Sequence, residues 1–269
     1  MKAGIALREK EYVKQIFSKN KEAYVQSSTH AKGNDLTIMI DWLKPDASMI
    51  ALDIATGGGH TAKKLAKHVK QVTATDITED MLLNTKRHLQ NHKNMIFEIA
   101  DAENLPYQAN TFDIITCRIA AHHFPHPELF IAEVHRVLKP NGQFLFIDNV
   151  ASEKNVNDHF INTLEKMRDY SHVRALKISQ WQQFLQKYSL IIIKQESRKK
   201  VLPYEEWLNR TLDTKETREK VSGFILDAPK EIQSYYQVRL HDYKIQSFVI
   251  DEWMVLCKKS MRLGNKLKS

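Results

Sequence analysis

A run of three glycines is the clearest candidate for a ligand site in the sequence. Residues 57–59 are all glycine and follow Asp53 between a predicted strand and a predicted helix. Glycines at such a place let the backbone approach a ligand that a Cβ would exclude, and the N-terminus of a helix offers N–H donors. The spacing GxGxxA over residues 57–62 also matches the dinucleotide-binding fingerprint, so the glycines alone leave the ligand open.

Acidic side chains at three successive strand ends narrow the choice of ligand. Asp53 ends the first predicted strand, where its carboxylate would repel a pyrophosphate and attract an ammonium or a sulfonium. Asp76 ends the second strand and suits ribose hydroxyls, while Asp101 and Ala102 follow the third and suit the amine and ring of an adenine. A ligand with an amino-acid part, a ribose and an adenine would use all three carboxylates. Helix capping by Asp53 and Asp76, and a turn at Asp101, are the structural alternatives.

Two histidines after the fourth predicted strand are the candidates for a proton acceptor. His122 and His123 lie in the loop 118–124, and histidine titrates in a range that is useful for general base chemistry. A histidine in such a loop can equally be a structural hydrogen-bonding residue, so both roles stay open. Cys117, at the end of an apolar strand, is interpreted as a buried structural thiol rather than a nucleophile.

Alternating apolar runs and amphipathic stretches predict the framework that holds these residues. The predicted strands are Met49-Ile54, Gln71-Thr75, Met95-Ile99, Phe112-Cys117 and Gln143-Asp148. The predicted helices between them are Thr61-His68, Glu79-Gln90 and Pro127-Leu138, with a turn at 139–142. Two later apolar runs, 190–193 and 247–257, are predicted to pair as an antiparallel hairpin at the sheet edge. The fold prediction is a Rossmann-like α/β domain, with a mostly parallel seven-stranded sheet, helices on both faces and the last strand antiparallel.

The order of four motifs resembles the class I S-adenosylmethionine-dependent methyltransferases. The matching segments are LDIATGGG (52–59), VTATDITEDML (72–82), IADAENLPYQANTFDIITCR (99–118) and HRVLKPNGQFLFID (135–148). Within that class they resemble the branch of the ubiquinone/menaquinone-biosynthesis methyltransferases and their small-molecule relatives. Ala55 stands where most of the wider superfamily has glycine, and the quinone branch also has alanine there.

The resemblance implies binding of S-adenosyl-L-methionine and transfer of its methyl group to a small-molecule acceptor, on an O, C or N atom that the sequence leaves undetermined. It places Asp53 near the methionyl ammonium, Asp76 on the ribose and Ile77 against the adenine face. The residues that it assigns to the cofactor are Asp53, Ala55, Gly57, Gly59, Asp76, Ile77, Asp101, Ala102 and Arg118. It implies a single domain, in which residues 46–150 bind the cofactor and residues 151–257 form the substrate side.

Segments outside this core are predicted to close over the strand ends and to bind the acceptor. Residues 1–45 are predicted to form a helical lid, interrupted at 27–33, with Tyr24 and His30 lining the pocket. An insertion at about 195–245 is predicted to cap the site. Acceptor contacts are predicted for Phe124 and Arg174. Further candidates, for some of which core packing is the alternative, are Tyr170, His172, Lys177, Trp181, Tyr204 and Trp207.

Composition limits the cellular setting and the partners. The chain of 269 residues has 40 basic and 32 acidic residues, a net charge of +8. Much of the excess lies in residues 258–269, which are predicted to form a solvated basic tail, so a nucleic-acid partner is disfavoured. Cys117 and Cys257 lie far apart in sequence, which favours neither a disulfide nor a metal site. With no membrane span and no signal segment in view, we expect a cytoplasmic monomer or homodimer.

Two other functions remain as alternatives. A nicotinamide-dependent oxidoreductase would use the same glycines but would tolerate Asp53 poorly. An RNA-modifying methyltransferase would use the basic surface, although no amino-methylating motif follows the fourth strand, where residues 118–124 stand instead.

Overall fold

The computed structural model of the protein describes residues 2–26 and 34–260. Its first half alternates strands and helices, as the sequence predicts. The helices are α1 (Lys2–Gln26), α2 (Asp35–Leu43), α3 (His60–Leu65), α4 (Glu79–His88) and α5 (Pro127–Val137). The strands are β1 (Ile50–Ile54), β2 (Gln71–Asp76), β3 (Met95–Ile99), β4 (Phe112–Arg118) and β5 (Leu138–Val150). None of the helices in the described ranges combines the length and apolar character that a membrane span requires.

The second half adds helices and long antiparallel strands. The helices are α6 (Asn155–Arg168), α7 (Ile178–Lys187), α8 (Tyr204–Asn209), α9 (Lys215–Leu226) and α10 (Lys230–Tyr235). The strands are β6 (Leu190–Pro203), β7 (Arg239–His241) and β8 (Lys244–Lys259). The sequence predicts an insertion at about 195–245. Because β6 continues to Pro203 and β8 already begins at Lys244, the segment that contains the inserted helices and β7 is shorter than predicted.

All described strands belong to one sheet with the order β3-β2-β1-β4-β5-β8-β6, and β7 pairs with β8 outside this path. The pairs among β1 to β5 are parallel, whereas β8 runs antiparallel to both β5 and β6. The predicted fold class is therefore confirmed, and the predicted hairpin forms with β8 inserted between β5 and β6. The short β7 is an eighth strand that the sequence pattern does not reveal.

The sheet is covered on both faces because neighbouring residues of each strand point to opposite sides. Leu52 of β1 packs in one apolar cluster with α5 and α7, while its neighbour Ala51 packs in another with α2 and α3. A third cluster joins α6 and α8–α10 to the ends of β6 and β8, through residues such as Leu202 and Phe248. The inserted helices thus sit on the same strands that extend the central sheet.

Two predictions about the ends of strands are wrong. The turn predicted at 139–142 lies inside β5, where the register shifts between the pairs Phe112–Leu138 and Ile114–Gln143. Asn141 in that bulge has a φ of 63°, so the turn signal produces a bulge rather than a strand boundary. At the other end, Lys258 and Lys259 belong to β8 instead of starting a solvated tail. The buried ammonium of Lys259 donates to Asn110 Oδ1 at 2.8 Å and to two backbone carbonyls. Residues 261–269 lie outside the described residues.

Candidate functional site

The loop after β1 takes a left-handed backbone at three positions, of which two are glycine. The φ angles are 52° at Ala55, 50° at Gly57 and 76° at Gly59. A Cβ placed on Gly57 would have no atom within 4 Å, and the Gly57 N–H donates to Asp76 Oδ2 at 3.0 Å. Gly57 therefore leaves open space next to the Asp76 carboxylate.

Gly59 packs against α4 and does not line the cavity. A Cβ at Gly59 would lie 2.5 Å from Thr85 Cγ2 and 2.6 Å from Leu89 Cδ1. Gly59 precedes α3, and Thr85 lies on α4, so the missing side chain allows α4 and the start of α3 to approach. Although the sequence predicts Gly59 against the cofactor, the structure does not bring it to the cavity.

Asp53 is buried at the end of β1, and two threonine hydroxyls hold its carboxylate. Thr56 Oγ1 donates to Oδ2 at 2.6 Å, and Thr116 Oγ1 donates to Oδ1 at 2.7 Å. Burial disfavours the charged form more than these hydrogen bonds favour it, which raises the pKa of Asp53 to about 6. A cation in the neighbouring space would stabilise the charged carboxylate, so a positively charged ligand would lower the pKa of Asp53.

Asp76 joins the glycine loop to the start of α4. Its Oδ2 accepts the Gly57 N–H, and its Oδ1 accepts the Thr78 N–H at 2.9 Å. Burial raises the pKa of Asp76 in spite of these hydrogen bonds. Each carboxylate oxygen can accept more than one hydrogen bond, so Asp76 keeps the capacity to accept from hydroxyl groups in the cavity that it lines.

Asp101 binds a lysine that the sequence analysis does not single out. Lys10 Nζ of α1 lies 2.6 Å from Asp101 Oδ2 and 2.6 Å from Glu103 Oε2. Burial lowers the pKa of Lys10, but the hydrogen bonds to both carboxylates outweigh it and leave the pKa raised. The first helix is thereby fixed to the segment after β3, where the adenine contact is predicted.

These residues surround one cavity at the carboxyl ends of β1, β2 and β4. It encloses about 990 Å³ of space, counting the part that opens to solvent. The predicted site residues that line it are Asp53, Ala55, Gly57, Asp76, Ile77, Asp101, Ala102, Arg118, His123 and Phe124. The position agrees with the general rule that ligands of open α/β sheets bind beyond the carboxyl ends of the strands.

One face of α1 covers this cavity and contains lining residues that sequence reasoning missed. Lys10, Val13 and Phe17 contribute to the wall. Their spacing of three and four residues places them on one face of a helix. This spacing is the sequence signal from which a lining face of α1 could have been predicted. A helical cover from the N-terminal segment is predicted. The side chain of Tyr24 and the whole of His30, however, lie outside the described residues.

Arg118, at the end of β4, lines the cavity and pairs with Asp35 at the start of α2. Both side chains are almost fully buried. Burial raises the pKa of Asp35, but the hydrogen bond and charge of Arg118 outweigh it and leave the pKa lowered. The ion pair fixes the guanidinium beside the glycine loop.

Several predicted acceptor residues do not reach the cavity. Arg174 Nη2 donates to both carboxylate oxygens of Asp158, at 2.8 and 2.7 Å, and is not part of the lining. Trp181 and Trp207 are each only 1% exposed and pack in two different apolar clusters, which supports the core-packing alternative for Trp181. Tyr170 makes an edge contact with Tyr12 of α1, at 5.1 Å between ring centroids.

The two candidate histidines lie in a one-turn 3₁₀ helix, Ala121–His123, and differ in which cavity they line. His123 lines both the main cavity and a smaller adjoining cavity, whereas His122 lines the smaller one. Cys117, on the strand before them, is fully buried, and burial raises the pKa of its thiol well above the ordinary value. That environment keeps the thiol protonated and agrees with a structural role.

Comparisons with known proteins connect this geometry to one family. The family model described as "Methyltransferase domain" matches residues 52–146. The methyltransferase YcgJ of Bacillus subtilis strain 168, whose activity is uncharacterised, is 39% identical over 198 residues, covering 72% of this chain and 78% of that protein. A crystal structure of a Bacillus halodurans C-125 protein assigned as a methyltransferase superposes with a TM-score of 0.82. Its sequence is 36% identical, and the match covers 85% of this chain and all of that one.

A third relative is named for its reaction. The ubiquinone/menaquinone biosynthesis C-methyltransferase UbiE of Rickettsia akari strain Hartford is 36% identical over 113 residues. That match covers 39% of this chain and 46% of UbiE, so it is limited to part of each protein.

Proposed function

The chain belongs to the methyltransferase domain family, and we propose that it binds S-adenosyl-L-methionine in the main cavity and methylates a small-molecule acceptor. The observation that carries the cofactor assignment is the convergence of Asp53, Asp76 and Asp101 on one cavity beside the glycine loop. A ligand with a cationic amino-acid end, a ribose and an adenine has a partner for each carboxylate. When bound, this cofactor supplies an activated methyl group on a sulfonium.

The residues present fit such a ligand. Gly57 leaves space that a Cβ would fill, and the Asp53 carboxylate is a desolvated anion with no basic side chain hydrogen-bonded to it among the described residues. Asp76 would accept from the ribose hydroxyls, and Ile77 would pack against the adenine. Asp101 would accept from the adenine amine on the oxygens that also bind Lys10 and the Glu103 N–H.

A small acceptor is favoured over a nucleic acid by the shape of the site. Lys10, Val13 and Phe17 of α1 close the main cavity on one side. The smaller cavity beside it is lined by residues of α6, β6 and α8. A site that is covered by helices in this way suits a metabolite-sized molecule, whereas a nucleic acid needs an open groove.

The cofactor assignment is tested by calorimetric titration with S-adenosylmethionine, S-adenosylhomocysteine and NAD. We expect the first two to bind. Asp76→Asn should weaken their binding by about 1–3 kcal/mol, or roughly 5- to 150-fold, because donating hydroxyls lose a charged acceptor. Asp80→Asn, on the exposed side of α4, removes the same charge and is the matched control.

Two outcomes would contradict the proposal. Binding of NAD without a response to either methionine derivative would favour the oxidoreductase alternative. Transfer of a labelled methyl group to RNA, and not to any component of a metabolite extract, would favour the RNA-modifying alternative.

A further inference from the structure

The smaller cavity described above, from here on called the second cavity, adjoins the main cavity and shares a wall with it. Phe17, Ile119 and His123 line both spaces, so these side chains form part of the wall between them. Ile119 has a φ of 56°, a strained conformation for a β-branched residue, and its N–H is held by the Ile147 carbonyl at 2.7 Å. Strain that the surrounding structure maintains is typical of functional sites.

Hydrogen bonds fix the orientation of both histidine rings at this wall. His122 Nδ1 lies 2.6 Å from Asp148 Oδ1, and His123 Nδ1 lies 3.0 Å from the Ser171 carbonyl oxygen. A carboxylate and a carbonyl only accept, so in both rings Nδ1 carries the hydrogen and Nε2 carries the lone pair. In the described part of the chain, neither Nε2 atom has a hydrogen-bond partner. Both rings are therefore arranged to accept a proton at Nε2.

The two rings differ in basicity. Burial lowers the pKa of His122, but the charge and hydrogen bond of Asp148 outweigh it and raise the pKa overall. Burial, together with repulsion from His122, lowers the pKa of His123 to about 4. His123, which faces the main cavity, therefore stays neutral beside a cationic cofactor, while His122 is the stronger base and faces the second cavity.

Nothing in this cluster resembles a metal centre. Among the described residues, no three His, Cys, Asp or Glu side chains are arranged to hold a metal ion. The Asp148 carboxylate is fully buried and also accepts the backbone N–H of His122 at 3.1 Å, so it holds both the ring and the backbone of His122. A carboxylate–imidazole pair of this kind is the usual device for a general base.

The remaining lining indicates the kind of molecule that the second cavity binds. Leu202, Trp207 and Ile250 offer an apolar surface. Asn149 Oδ1 is buried without a hydrogen-bond partner in the described structure, so it is available to a donor group. A buried amide oxygen of this kind costs about 1–3 kcal/mol unless a ligand or water satisfies it.

Two of the basic side chains that line the cavity are paired with carboxylates of the protein. Arg168 Nη2 donates to Glu165 Oε2 at 2.7 Å, and Lys200 Nζ donates to Glu252 Oε2 at 3.0 Å. These pairs make the cavity polar without a strong demand for a charged ligand. A flat apolar ring that carries hydroxyl groups matches the lining.

We propose that the second cavity is the acceptor site, that it takes a small hydroxylated ring compound of phenol or enol type, and that His122, positioned by Asp148, is the base for its O-methylation. This inference rests on the proposed methyl transfer. The hydroxyl proton of the acceptor moves to His122 Nε2 as an oxygen electron pair forms the bond to the methyl carbon. The carbon–sulfur bond breaks with its electrons going to sulfur, and the imidazolium, stabilised by Asp148, later releases the proton to water.

The test uses labelled S-adenosylmethionine with phenol, catechol and a cyclic 1,3-diketone, and with aniline, thiophenol and benzoate as analogues without a hydroxyl nucleophile. We expect methylation of at least one hydroxyl compound. His122→Asn should lower kcat for it by about 10²- to 10⁴-fold, while calorimetry finds the S-adenosylhomocysteine affinity within threefold of wild type. The exposed His159→Asn on α6 is the matched control and should leave both quantities unchanged.

Two further measurements do not depend on the fold of the His122 variant. Asn149→Leu should weaken binding of the hydroxyl compound to the enzyme–S-adenosylhomocysteine complex about tenfold without changing the cofactor affinity. Asp148→Asn should shift the rising limb of the kcat–pH profile to lower pH, because it removes the carboxylate that raises the base pKa. The other charged or titratable groups around His122 stay in place: His123, Glu165, Arg168, Asp169, His172, Lys200 and Arg210.

Failure of this inference is distinguishable from failure of the proposed function. A protein that binds neither S-adenosylmethionine nor its demethylated product contradicts the proposed function. A protein that binds them but methylates only the aniline, the thiophenol or the benzoate, or no compound of the panel, overturns the acceptor assignment. A folded His122→Asn variant with wild-type kcat overturns the role of the base.

Discussion

The buried Asp53 carboxylate should make the protein without ligand less stable as the pH rises. The pKa of Asp53 is about 6 in the folded protein and 3.8 in the reference state. Folding therefore favours the protonated form. The stability that it contributes is fully present below pH 3.8 and is lost as the pH rises through 6. A difference of about two pH units corresponds to a loss of about 3 kcal/mol at pH 8.

Asp53→Asn removes this cost because an amide stays neutral at every pH. We expect the variant to be more stable than wild type by about 1–3 kcal/mol at pH 8, and to differ little at pH 4. The free energy of unfolding, measured in urea at both pH values, gives the comparison. Asp113→Asn is the matched control, since its carboxylate is partly exposed and pairs with Lys139, so it should show no gain at pH 8.

The same substitution should weaken the binding of S-adenosylmethionine, whose sulfonium and ammonium favour a charged neighbour. For wild type the affinity should rise with pH through about 6. For Asp53→Asn this rise should be smaller, because Asp76 then remains as the other buried carboxylate of the cavity whose pKa is raised. Equal stability gains at pH 4 and pH 8, or an unchanged pH dependence of binding, would refute the reasoning that burial raises the pKa and that a cation lowers it again.

Two backbone predictions follow from the glycine loop. Ala55→Gly should leave the free energy of unfolding unchanged or raise it by up to about 1 kcal/mol, because Ala55 has a φ of 52°, whereas Ala62→Gly in α3 should lower it by about 1 kcal/mol. A loss at both positions would contradict the strain at Ala55. Gly59→Ala should cost about 2–4 kcal/mol in urea unfolding, since its Cβ would meet Thr85 at a φ of 76°. A Gly59→Ala variant with wild-type stability would show that α4 can move away freely.

The cofactor side of the protein follows largely from local sequence signals. Strands β1 to β4 lie within two residues of their predicted bounds, and the three acids stand at the predicted strand ends. This works because parallel strands bring their carboxyl ends to one edge, so the position of Asp53 within its strand already determines where its carboxylate lies. Local pattern and global fold agree in this half of the chain.

Gly59 and Lys10 show where local reasoning stops. The glycine is required by Thr85, which lies 26 residues later on another helix, and the lysine is fixed by Asp101, 91 residues away. The helical spacing around Lys10 indicates which face of α1 it lies on, but no nearby residue identifies the partner of either Gly59 or Lys10. A prediction of either contact needs the docking of α1 and α4, which long-range packing determines.

The acceptor side is harder to predict because no single segment contains it. The second cavity combines Phe17 of α1, Ile119 after β4, Trp207 of α8 and Ile250 of β8. In the sequence these are ordinary apolar residues, and only the tertiary structure places them around His122. The pairing of His122 with Asp148 brings together the end of β4 and the end of β5, two neighbouring parallel strands.

That pairing could nevertheless have been inferred from topology. If the fourth and fifth strands are adjacent, an acid at the end of the fifth faces a loop after the fourth, by the same argument that joins Asp53 to Asp76. Substituting Trp207 of the inserted helix α8 should therefore change which acceptor is bound, because its side chain lines the second cavity, but should leave the His122–Asp148 pair in place. The His122–Asp148 pair depends on two neighbouring strands of the sheet, whereas Trp207 comes from the inserted helices, so proton transfer and the choice of acceptor depend on different parts of the chain.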